Sequence, residues 1–134
     1  MFKPLQYDSG KTIKLPSAVS QTIVKGDALV WASGYLAVAA STTEDVYAIA
    51  LEDVTTDGST HTDMLVLPVD GIRFEADCDD VVSIADRGTY CDLADEDLLN
   101  PDATSEKVFV IDEIVGTAEV SKVVRGKFSR FTAT

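Results

Sequence analysis

Four groupings in this sequence carry side chains that could do chemistry. Asp8-Ser9-Gly10, in "YDSG", has the residue order of the Asp-Ser/Thr-Gly loop that supplies one carboxylate of the aspartic-protease pair, where two aspartates share a proton. That aspartate must lie on a buried loop behind apolar strands. Here only "MFKPLQ" precedes it and Lys11 follows, so the tripeptide is expected to be a surface turn. Asp92, Asp95, Glu96, Asp97 and Asp102 could offer oxygens to Ca²⁺, but they lack the alternating acidic loop with a central glycine that wraps one ion; a solvated acidic loop is expected. Cys78 lies among Asp77, Asp79 and Asp80, whose charges disfavour a thiolate, so Cys78 and Cys91 are expected to be free thiols with at least one in the core. His61, the only histidine, sits in the polar run "TTDGSTHTD" and is expected on an exposed loop, with nothing to orient its ring for Ser/His/Asp catalysis. One histidine and two cysteines do not make a zinc set, and no phosphate loop or dinucleotide fingerprint appears. The sequence therefore predicts no catalytic residue, no metal site and no cofactor.

Recognition chemistry lies at the two ends. Phe2, Lys3, Leu5 and Tyr7, followed by Lys11 and Lys14, and then Arg125, Lys127, Phe128, Arg130 and Phe131, set large apolar groups beside cations. Aromatic side chains with arginine are what protein interfaces favour, although Phe128 is equally well explained as a core residue of the last strand. The middle is the opposite: residues 41 to 120 hold 21 Asp and Glu against only Arg73, Arg87 and Lys107, within a chain of net charge -12. Such an acidic body repels nucleic acid at long range, and no apolar run approaches the ~20 residues of a membrane span. The basic ends remain available to an acidic protein partner.

The elements that must position these residues are short strands. In "YLAVAA" and "VYAIAL" large and small apolar residues alternate with period two, and both faces are apolar, so each strand is expected to be covered on both sides, by the core and by a neighbouring segment or subunit. A homo-oligomer follows from that expectation. Ser33-Gly34 and Asp70-Gly71 mark hairpin turns, and Pro68 places "MLVLPV" at a sheet edge or ends it. A short strand is expected at "TYCDL" and one helical turn near "ADEDLL". Eight to ten strands, no long helix and 134 residues describe one all-β barrel or sandwich over residues 20 to 134. Residues 1 to 19, with Pro4, Gly10 and Pro16 and no sustained period, are expected to be an extended N-terminal arm, ordered only where a neighbour holds it; removing residues 2 to 10 should leave the melting of the body nearly unchanged.

The succession "VKGDALVWASGYLAVAASTTEDVYAIALEDV", "VLPVDGIRFEADC", "GTYCDLADEDLLNPDATSEKVFVIDEIVG" and "VVRGKFSRF" resembles the small capsid decoration, or cement, proteins of tailed bacteriophages, over residues 24 to 131. The resemblance implies a β-tulip-like, non-enzymatic virion protein, made in the host cytoplasm, that binds the outer surface of an icosahedral capsid. Its partners would be the major capsid protein and further copies of itself, as a trimer at local threefold positions in preference to a dimer. The arm would add a strand to a neighbour, with Phe2, Leu5 and Tyr7 as anchors and Lys3, Lys11 and Lys14 against acidic surface. Two other classes share these residues: another virion β-module, such as a head-fibre base or tail-associated protein, and a small aspartic-protease-like hydrolase.

Overall fold

The computed structural model describes residues 1–129. Strands make up 44% of it and helix 5%, which bears out the all-β expectation. In chain order the strands are β1 (Phe2–Pro4), β2 (Ile13–Pro16), β3 (Thr22–Ile23), β4 (Ala28–Ala32), β5 (Tyr35–Val38), β6 (Ala48–Ala50) and β7 (Val54–Thr55). They continue as β8 (Asp63–Pro68), β9 (Arg73–Asp77), β10 (Tyr90–Asp95), β11 (Leu98–Asn100), β12 (Phe109–Ile114) and β13 (Val123–Phe128). Several are two or three residues long, below what alternation in a sequence reveals, and this is why more strands form than the pattern predicts.

One sheet has the order β1-β9-β13-β12-β10-β11, a second the order β2-β8-β6-β4-β5, and β3 pairs with β7 alone. All these pairings are antiparallel. The five-stranded sheet curls until its end strands approach, and the six-stranded sheet until β11 approaches β9, with β1 outside the closure. A parallel bridge from Ser17 to Leu36 joins the end of β2 to β5, and another from Cys78 to Leu99 joins the end of β9 to β11. Curling of this kind blunts the exposed edges through which β proteins otherwise aggregate.

The alternation in β4, β6 and β8 feeds two cores. Ala28, Ile49 and Leu67 face the larger one, which also holds Phe74, Phe109, Phe128 and both cysteines. Leu29, Ala48, Ala50 and Val66 face a smaller one with Leu36 and Met64, inside the curl of the five-stranded sheet. The second face of β4, β6 and β8 is thus covered largely by the chain itself, while Tyr35, Ala37 and Val38 of β5 stay half-buried.

Residues 1 to 19 are expected to be an extended arm, but they hold two strands of this chain with a 3-10 turn at Ser9–Lys11 between them, packed on the body. β1 pairs with β9 and β2 with β8, while Phe2 is 0% exposed with its ring 4.9 Å from that of Phe128 and 6.3 Å from that of Phe109. A ring that can fill its own core needs no neighbour to offset the entropy of ordering the segment. The free side of β1 is also spent. Phe2 donates its N–H to the Gly26 carbonyl at 2.9 Å, and Pro4 has no N–H to offer. Two local expectations change as well. The stretch near "ADEDLL" is the turn of the β10–β11 hairpin, not helix: the Asp95 carboxylate accepts from the Glu96 N–H at 2.9 Å, and Leu93 and Leu99 pair across it into the core. β8 ends at Pro68 as predicted, but lies inside its sheet.

Candidate interaction surface

The outer face of the six-stranded sheet is read directly from its register. Across β1, β9, β13 and β12 runs the row Lys3, Glu75, Arg125, Glu113, in which charges alternate. Across β9, β13, β12 and β10 runs a second row, Arg73, Lys127, Val110, Tyr90. Directly paired residues share a face, so each row is a line of neighbouring side chains. A bulge between Ile111 and Glu113 adds Asp112 to this face. Arg73 donates through Nε to Asp112 at 3.1 Å and also reaches Glu113 at 3.3 Å; Arg125 pairs with Glu75 at 3.2 Å and with Glu113 at 3.6 Å.

Two hollows flank the N-terminal segment. One, of about 250 Å³, is lined by Met1, Phe2, Lys3, Pro4, Tyr7, Lys25, Gly26, Ala50 and Leu51. The other, of about 280 Å³, lies between Leu5, Gln6, Gly71, Arg73 and Lys127. The structure therefore brings Lys3, Leu5, Arg125 and Lys127 to one region, with Tyr7 at the first hollow. Lys11 and Lys14 are exposed elsewhere, on the loop before β2 and on β2 itself. Phe2 is core and presents nothing to a partner, Arg125 is matched by its own carboxylates, and Arg130 and Phe131 lie outside the described residues. Sequence reasoning missed Gln6, Gly71, Arg73 and Tyr90. Arg73 could have been found as one of three cations within an otherwise acidic stretch of eighty residues.

The groups that suggested catalysis are tied into the fold. The Asp8 carboxylate caps its own exposed turn, accepting from the Gly10 N–H at 2.9 Å. His61 is exposed, yet its ring lies flat on Tyr35, 3.6 Å between centroids, and Nδ1 meets the Ser17 carbonyl oxygen at 2.9 Å. Cys78 and Cys91 are both free and buried. Burial, followed by the charges of Asp79 and Asp77, pushes Cys78 up to about 12, and burial raises Cys91 as well, so both stay protonated and poorly nucleophilic at neutral pH. Asp92 is buried and accepts from the backbone N–H groups of Ser105, Glu106 and Lys107 at 2.8–2.9 Å, which withdraws it from the acidic cluster. Asp95, Glu96 and Asp97 do converge, with carboxylate oxygens within 4.8 Å of one another.

No family model matches the chain, and no characterised protein matches it by sequence. Among solved structures it is similar to the N base of the head fiber gp8.5 of bacteriophage phi29. That likeness covers 92% of this chain and 98% of the other at a TM-score of 0.59, with 15% of residues identical. At that identity the likeness is one of fold, and the fold it identifies runs through almost the whole length of both chains.

Proposed function

We propose that this chain is a structural module of the outer head surface of a tailed bacteriophage, without enzymatic activity. The observation that carries the reading is the near end-to-end likeness to a phage head-fibre base. The sequence resemblance to capsid decoration proteins points to the same location. Exposed charged and aromatic groups lie on one outer sheet face, while the thiols, Asp8 and His61 serve the fold.

Within this proposal the partner is the major capsid protein, and the chain sits as a trimer at local threefold positions. A fibre-base role is the second reading, favoured by the structural neighbour being a head-fibre base. The two roles differ in pattern: a decoration protein covers the lattice, whereas a fibre base carries a projecting shaft. Electron microscopy of gold-labelled protein added to undecorated heads is the test. Label over the head surface is expected, and label confined to tails, or absent from particles, overturns the proposal.

A further inference from the structure

We infer that the row Arg73, Lys127, Val110, Tyr90, with the hollow at Leu5, Gln6 and Gly71, docks an acidic segment of a partner protein. If the head-surface reading holds, that partner is the shell subunit; the inference therefore rests on that reading for the partner's identity but not for its chemistry.

Charge accounting carries the assignment. On this face Glu75 is held by Arg125, Asp112 by Arg73 and Glu113 by both. Among the described residues no carboxylate lies within ion-pairing distance of Lys127, and its neighbour across the strand is the cation Arg73. Arg73 spends its charge on Asp112 and Glu113, which leaves the Lys127 ammonium beside it as the charge of this row that an incoming carboxylate would pair. Beside the pair lies the 280 Å³ hollow, where Gln6 offers an amide and Leu5 an apolar wall. Along the row Tyr90, 46% exposed, supplies an amphipathic ring of the type that interfaces select. Residues 41 to 120, with 21 acidic residues against three cations, repel an acidic partner, so Lys127 beside Arg73 draws the segment to this face of an otherwise acidic sheet region.

The first test uses the chain alone. Isotope-labelled protein is titrated with a synthetic Glu-Glu-Tyr-Glu-Glu peptide and followed by amide shifts. Changes are expected at Gly71, Arg73 and Lys127, lost in Lys127→Glu and in about 1 M salt, where the screening length falls to about 3 Å. Absent shifts, or shifts spread equally over Lys11, Lys14 and Lys25, overturn the inference. The second test compares binding to undecorated heads. Lys127→Glu should bind at least about tenfold more weakly than wild type, and Lys14→Glu should bind like wild type. If wild type binds heads and Lys127→Glu binds equally well, the inference fails and the head-surface reading stands. If wild type does not bind heads, the reading fails and the peptide titration still decides the inference.

Discussion

At Gly126 an added methyl group would lie 1.9 Å from the Val110 carbonyl oxygen and 2.8 Å from the Phe109 ring. The obstacle is paired backbone, which cannot swing aside, so Gly126→Ala should cost about 3 kcal/mol or more in urea unfolding. Gly34→Ala, at a φ of +87° with nothing within 4 Å, should lose only about 1 kcal/mol, from the left-handed turn. Asp27 tests burial of charge. Its carboxyl is pushed above the ordinary 3.8 chiefly by burial, opposed by the Val24 N–H bond and assisted by Asp97. A raised carboxyl binds its proton more tightly in the native state, so the ionised form costs stability above the folded pKa, and the cost disappears as pH falls towards 3.8. Asn keeps an acceptor oxygen for Val24, so Asp27→Asn should be at least as stable as wild type at pH 7, and denaturation midpoints should converge near pH 4. Residue chemistry of this kind was partly legible. The Asp8 turn followed from neighbours in sequence, and so did part of the upward push on Cys78, whereas the burial that raises both thiols and the buried roles of Asp27 and Asp92 depend on packing that no local pattern announces.

Strands of four to six residues were legible because alternation repeats within them, as in Tyr35–Val38 and Arg73–Asp77. β1 was not, because three residues hold barely one period, and β2 was not, because its burial does not alternate and it runs into Pro16. β1 is held by the tertiary fit of Phe2 among Phe74, Phe109 and Phe128, a side chain that composition alone also allowed to be an intermolecular anchor. The structure reverses the expectation for the N-terminus: Phe2→Ala should lower stability by about 3 to 5 kcal/mol, measured by thermal or urea unfolding, instead of leaving the body unaffected. Similar unfolding of Phe2→Ala and wild type would show that β1 contributes little to the core. The candidate surface shares this origin. Lys127 was visible as a cation in sequence, but its like-charged neighbour Arg73, 54 positions away in the chain, became adjacent only through the β9–β13 register.

At the scale of the molecule, strands of the five-stranded sheet are apolar on both faces, one face turned to the core shared with the six-stranded sheet and the other to a smaller core of its own. Its surface is left for recognition: residues 41 to 120 are strongly acidic, and Arg73 and Lys127 stand side by side on the outer sheet face. Attachment to the outside of a phage head is tested by a cryo-electron-microscopy difference map between undecorated heads and the same heads incubated with purified protein. Added density is expected outside the shell, into which the two-sheet fold fits with the β9–β13 face against the capsid protein. Difference density confined to the tail, or none at saturating protein, would contradict that attachment.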